Sequence, residues 1–424
     1  MHKAFAIIYF TITLLSLYYR NMLSLDTIYQ ASYALRGVAR KTDLIRAPKM
    51  FSDSEVYLKT ENLQNTGSFK VRGAYYKISK LSPEEKKKGV IACSAGNHAQ
   101  GVALAAKHLG IDAVICVPEG APISKVEATR SYGATVELVK GVYDDAHNRA
   151  EEIAKETGRI MIHPFDDEDV IAGQGTIGLE ILDQLPDVDV VIVPVGGGGL
   201  ISGVAYAMKS LKPSVKIYGV QSSGAPSMVE SLEHHRREIL KNVSTIADGI
   251  AVKEPGALTF KLTEQYVDKV ISVSEDEVAV AILDLMEKQK LVAEGAGAVS
   301  VAAAMSGRLD IKGKKTVCLV SGGNIDVTIL SRVINRALIK EGRIADITVE
   351  LMDKPGQLVE VSTIIAQNGA NVIGCFHDKT GNEENINACT LKISMETRNK
   401  EHVAQIKKAL LDAGFKFVER DCAC

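Results

Sequence analysis

Tryptophan is absent from this chain of 424 residues, and proline is scarce, with 11. No low-complexity tract and no fixed-period repeat is present. That excludes a solenoid, a collagen-like rod and a disordered linker chain. Basic residues do not outnumber acidic ones, and the net charge of -2 points to no nucleic-acid partner. None of the seven cysteines stands in a CxxC pair with zinc-finger spacing. Cys93, Cys116 and Cys318 sit in apolar, strand-like runs and read as buried free thiols of a reducing compartment. Cys422 and Cys424 read as a tail without a role. No metal site is expected.

Long hydrophobic runs are also missing, apart from residues 4–19 between Lys3 and Arg20. That run is short for a membrane span, and no small-residue cleavage site follows it. Residues 1–21 are therefore read as an apolar extension ahead of a true start at Met22. The protein is expected to be cytoplasmic, with no membrane partner; a membrane-anchored reading rests on this run alone.

What is present is alternation. Apolar strands at 90–93, 113–117, 135–138 and 160–162 are separated by helical patterns at 97–109, 124–132 and 143–157. A second series follows, with a strand at 188–195, a helix at 200–211, a strand at 217–220, helices at 275–288 and 296–305, and a strand at 315–320. Near-continuous apolar strands alternating with helices predict an α/β fold, with parallel sheets covered on both faces and two lobes in succession. After Gly342 the order changes to strand, helix, strand, strand, helix, strand. That is a ferredoxin-like βαββαβ unit. The domains are expected at 22–342 and 343–424.

Lys70 stands just after the turn Asn65-Thr66-Gly67-Ser68, beside Phe69, at the entry of a helix expected over 71–81. A partly desolvated lysine in that position is a candidate Schiff-base nucleophile. Three glycine-rich loops follow strands and precede helices: Ser94-Ala95-Gly96-Asn97-His98, the run Gly196-Gly197-Gly198-Gly199, and Ser321-Gly322-Gly323-Asn324. Loops at strand ends are where open parallel sheets bind ligands, and a helix start attracts anions. The glycine run breaks the dinucleotide spacing, because its sixth position is Ile201 or Ser202, and no Gly-Lys-Ser/Thr is present. A lone phosphate fits better. A reactive lysine with a monophosphate cradle is the equipment for pyridoxal phosphate.

Those four motifs, in that order, resemble fold-type II pyridoxal-phosphate enzymes, most nearly the threonine dehydratases (threonine ammonia-lyases), with serine dehydratase and serine racemase as relatives. The resemblance spans residues 25–342. It implies that Lys70 carries pyridoxal 5'-phosphate and takes the Cα proton, with Phe69 packed near the ring. It implies further that Asn97 bonds the ring hydroxyl and that Ser94, Ala95, Gly96, Asn97 and His98 hold the substrate carboxylate. Gly196, Gly197, Gly198 and Gly199 would hold the phosphate, and Ser321 would face the ring nitrogen. The implied reaction is water elimination from L-threonine to give 2-oxobutanoate and ammonia, and from L-serine to give pyruvate. Ala95 stands where serine racemase has a serine, so racemisation should be poor. The stretch Gln221 to Ser227 lacks the carboxylates of the racemase's divalent-metal site. A monovalent cation near Glu294 stays open.

Residues 353–358 and 368–372 resemble the ACT family, which implies side-by-side pairing and an amino-acid effector, isoleucine or valine, in a homodimer or homotetramer. The rival functions are a serine-directed dehydratase or racemase, and an amino-acid sensor with an inactive catalytic lobe. Asp144, Asp145, Asp166 and Asp167 read as surface charge, His234-His235-Arg236-Arg237 as a solvated helix face, and Asp248-Gly249 as a loop beside the cofactor.

Overall fold

The computed structural model describes residues 23–379 and 388–418. The expected extension at 1–21 and the Cys422/Cys424 tail lie outside the described residues. Among the described residues, no helix is long and apolar enough to cross a membrane. The chain separates into two compact units at residues 327–328. The helix Val327–Lys340 thus groups with the C-terminal unit, and the expected boundary at 342–343 lies one helix further on.

In the first unit the strands are β1 (Leu44–Arg46), β2 (Glu55–Lys59), β3 (Val90–Cys93), β4 (Ala113–Pro118), β5 (Thr135–Val139), β6 (Ile160–Met161), β7 (Val190–Pro194), β8 (Lys216–Ser222), β9 (Lys269–Val273) and β10 (Lys315–Leu319). They form two sheets, one per lobe. The smaller runs β5-β4-β3-β6 and is parallel throughout. The larger runs β1-β2-β10-β7-β8-β9, with only the β1–β2 pair antiparallel. The central strands are apolar on both faces because helices cover both; every residue of β3 and β7 is buried. Each fully buried Val, Leu or Ile side chain contributes roughly 1.5–3 kcal/mol. These packed sheets hold the loops at their ends in fixed places.

Sequence patterning did not show β1, β9 or the helices Ser227–Glu233 and Ala257–Tyr266. β9 starts on an exposed Lys269 and is mostly half-buried, so it carries no long apolar run. The helix Glu168–Gln184 starts where the Asp167 carboxylate accepts the N–H groups of Asp169 and Val170. Asp167 is therefore a helix cap, not idle surface charge. Asp145 likewise accepts the Val142 N–H at the start of the helix Tyr143–Thr157.

The helix Lys70–Ser79 turns Ala74 and Ile78 into the apolar core of the smaller lobe. It crosses the helix Glu168–Gln184 at Gly73 and Gly173. A β-carbon on Gly173 would lie 2.6 Å from the Gly73 Cα, so the two backbones touch only because both residues are glycine. Beside this crossing lies a buried ion network. The Arg72 guanidinium, 1% exposed, meets Glu61 at 2.8 Å and Glu180 at 2.6 Å. Lys59 Nζ reaches Glu180 at 2.6 Å and donates to the Thr42 carbonyl. Burial alone would raise the Glu61 carboxyl, but the charge and hydrogen bonds of Arg72, together with Lys59 and Thr42, outweigh it and hold the group below its usual range. Arg72→Ala leaves Glu61 buried without its counter-charge. It should destabilise the fold by about 3–5 kcal/mol, read from denaturant unfolding; a change below about 1 kcal/mol would refute the role of this network.

In the second unit the strands are β11 (Ile344–Met352), β12 (Asn371–Asp378), β13 (Ala388–Glu396) and β14 (Lys416–Phe417), with helices Gln357–Gln367 and Lys400–Asp412. The sheet runs β12-β13-β11-β14 and is antiparallel, the ferredoxin-like order. Val349, Leu351, Leu391 and Ile393 face Val361, Ile365, Ile406 and Leu410 of the helices in one core.

Candidate active site

The four expected loops come together at strand ends of the first unit. Lys70 is the first residue of its helix, and no side chain caps that helix start. Lys70 Nζ donates to the Pro164 carbonyl at 2.8 Å and lies 5.3 Å from the centre of the Phe69 ring. No carboxylate touches it. Burial pushes the Lys70 ammonium down to about 8, and the Glu294 charge only partly opposes this. The loop before Lys70 is tied to the loop after β10: Phe69 N donates to the Ser321 carbonyl, Gly323 N to the Gly67 carbonyl, and Asn324 Nδ2 to the Thr66 carbonyl.

After β3, Gly96 N donates to Ser94 Oγ, and no side chain caps the helix Asn97–Leu109. Its first-turn N–H groups suit an anion. Ala95 offers only a methyl group there. Asn97 is gripped at both ends of its amide: Nδ2 donates to Glu294 Oε1 at 2.6 Å, and Oδ1 accepts from Asn324 Nδ2 at 2.8 Å. Glu294 is buried, and desolvation, reinforced by Asp248, raises its carboxyl to about 7. His98 turns away from this loop; its Nε2 meets the Ile162 carbonyl at 2.8 Å, and burial drives its pKa down to about 3. It is neutral at physiological pH and carries no proton to the site.

The glycine run follows β7. Gly198 has φ +100°, and a β-carbon on Gly197 would lie 2.5 Å from the Phe165 ring. The helix Gly199–Leu211 starts without a side-chain cap. The segment after β6 links this cradle to the lysine. Pro164 holds the amine, and Phe165 lies against Gly197 and Gly199. Asp166, expected as surface charge, accepts the N–H groups of Ala257, Leu258 and Thr259, and Thr259 Oγ1 donates to the Gly197 carbonyl. Ser321 is buried and donates to the Ala296 carbonyl at 3.2 Å.

Sequence reasoning gave no site role to Pro164, Phe165, Asp166 or Asn324, and named Glu294 only as a neighbour of an ion. Each acts across long sequence separations, and no local pattern marks it. Elsewhere, Asp248 pairs with Lys125, and Gly249 lies against Glu294 and Asn97. His234 and His235 are exposed but lie beyond the helix Ser227–Glu233, not on its face, and meet Glu238 and Glu264. The stretch 221–227 receives a carboxylate from another element. Glu275 accepts bonds from Ser222 Oγ, Thr245 Oγ1 and Ile246 N, which engage both of its oxygens.

Residues 35–323 match the family described as pyridoxal-phosphate dependent enzymes. The chain belongs to that family. It is 51% identical to an L-threonine ammonia-lyase of Thermotoga maritima over 93% of this chain and 99% of that relative. Among solved structures, the processed threonine deaminase isoform 2 of Solanum lycopersicum superposes with a TM-score of 0.71, at 40% identity, over 75% of this chain and 95% of that one. A maize serine racemase gives 0.71 at 35% identity, covering 75% and 98%. The cofactor is pyridoxal phosphate, and the residues present fit it. The Lys70 amine is depressed, Ser68 Oγ is buried without a hydrogen-bond partner, and the glycine run leads into a helix start that no side chain caps.

In enzyme stripped of cofactor, the uptake rate of added pyridoxal phosphate, followed by absorbance, should rise with pH and level off above about 8, as Lys70 loses its proton. A rate still climbing at pH 10 would mean an ordinary, solvated lysine.

Proposed function

We propose that this enzyme deaminates L-threonine to 2-oxobutanoate and ammonia, and also L-serine to pyruvate. The observation that carries this reading is Lys70: an uncompensated amine, pushed down to about 8, in a site that gathers all four expected loops. Bound pyridoxal phosphate supplies the electron sink that loosens the Cα proton and the β-hydroxyl.

The chain's own residues take the following parts. Lys70 carries the cofactor and, freed by substrate, its neutral amine accepts the Cα proton. Phe69 walls the ring. Residues 196–199 present backbone N–H groups at a helix start to the phosphate. Ser94, Ala95, Gly96, Asn97 and His98 supply the helix start that holds the substrate carboxylate. Asn97, fixed between Glu294 and Asn324, keeps a second N–H for the ring hydroxyl. Ser321 brings a hydroxyl rather than a carboxylate to the ring nitrogen. Its one proton serves Ala296, so donating to the ring requires that hydroxyl to rotate. A neutral donor leaves the ring nitrogen without a counter-charge, which favours concerted loss of the hydroxyl.

The second unit acts as an ACT-like domain that pairs with another copy and takes isoleucine or valine as effector. Its antiparallel ferredoxin-like sheet supports this, as does edge strand β12, which exposes Ile373 and Phe376. The domain limits proposed are 22–342 and 343–424, in a homodimer or homotetramer.

Purified enzyme should release 2-oxobutanoate from L-threonine, and Lys70→Ala should lower the rate by more than about 1,000-fold. No product from the unaltered enzyme, or turnover kept in the variant, would overturn the reading. Isoleucine and valine added to the same assay test the effector. Chiral chromatography of L-serine incubations should show pyruvate and only trace D-serine, because Ala95 has no proton to give. D-serine at rates matching pyruvate would favour a racemase instead.

A further inference from the structure

Three side chains of metal-ligand type meet at one end of the antiparallel sheet of the second unit. Asp353 follows β11 directly, His377 lies near the end of β12, and Cys389 near the start of β13. Their ligand atoms all lie within 4.8 Å of one another. The register brings them together. Leu351 faces Cys389, and His377 faces Leu391. Residues two apart on a strand share a face, so Cys389 lies diagonal to His377, and Asp353 continues the row of Leu351. His377 Nε2 stands 2.8 Å from Cys389 Sγ, and Sγ is 3.5 Å from the Leu351 carbonyl.

We propose that Asp353, His377 and Cys389 bind one divalent, borderline-soft cation, zinc(II), with the fourth position taken by water. This site is independent of the catalytic reading. A thiolate, an imidazole and a carboxylate match zinc, whereas calcium and magnesium take oxygen ligands. Zinc–sulfur and zinc–nitrogen bonds at a tetrahedral angle separate S and N by roughly 3.6 Å. The imidazole therefore has to draw back by roughly 0.8 Å from its present place. His377 is exposed on edge strand β12, which leaves it free to do so. Cys389 is buried, so its sulfur is the fixed member. On binding, the thiol loses its proton to solvent, and the thiolate and carboxylate together neutralise the ion. Lys379 pairs with Asp353 at 2.9 Å, but both side chains are well exposed, and such a pair is weak enough to be displaced. Beside His377 lies a cavity of about 180 Å³, walled by Leu351, Met352, Pro355, Leu358 and Leu391. No spacing motif announces this site, because two members come from different strands and the third from the residue after another strand.

The test uses holoenzyme dialysed against a chelator and titrated with Zn²⁺, with bound metal counted by elemental analysis. Co²⁺ is added in parallel to read thiolate-to-metal absorbance. One zinc per chain is expected. Cys389→Ser should abolish the cobalt–thiolate band, His377→Ala should weaken zinc binding by at least about 100-fold, Asp353→Asn should weaken it less, and Cys375→Ser should leave it unchanged. Should Cys389→Ser fail to fold, the exposed positions 353 and 377 still decide the matter. Zinc binding that is absent in the unaltered enzyme, or that survives His377→Ala at full affinity, overturns the proposal.

Discussion

The guanidinium of Arg72 is enclosed by protein and satisfied on two sides, by Glu61 and by Glu180. A buried charge of this kind cannot be left alone, so the segments that supply its partners are fixed with respect to one another. Those segments are the short stretch after β2, the helix that starts at Lys70, and the helix Glu168–Gln184. The consequence reaches the site directly. Two residues earlier on the same helix, Lys70 is offered only a carbonyl. The two cations share a helix entry and differ in their partners. Arg72 is held charged by two carboxylates, whereas Lys70 is pushed towards neutrality by burial. A rigid, fully compensated charge positions an uncompensated, reactive one.

Much of the first unit was legible in the sequence, for a physical reason. Strands covered on both faces are largely apolar, so β3, β4, β7 and β10 stand out as continuous runs, and a glycine loop directly follows β3, β7 and β10. The polar loops were legible because four glycines in a row have no cheap structural excuse. What was hidden depends on contacts across the chain. β2 pairs with β10, far along the sequence. Asp166 reads as one more acidic residue until the start of the helix Ala257–Tyr266 is seen to rest on it. Glu294 lies in an alanine- and glycine-rich run and gains its meaning only from Asn97, nearly two hundred residues away.

The second unit shows the same division. Its order of elements could be read from alternation and helical spacing, and the resulting sheet has the ferredoxin-like arrangement. The convergence of Asp353, His377 and Cys389 could not be read, because register, not spacing, places them. Among the described residues they form the one such cluster of metal-ligand type.

The place of β10 has a consequence for how the protein comes into being. This strand lies inside the larger sheet, between β2 on one side and β7 on the other. During synthesis β2 leaves the ribosome early, with one long edge bare until residues 315–319 arrive. The loop that ends at Ser68 and Phe69 waits as well, since Ser321 and Gly322 are its backbone partners. A nascent chain therefore completes the smaller lobe well before the lysine site closes. The larger sheet and the site are finished together, almost at the end of the first unit's translation.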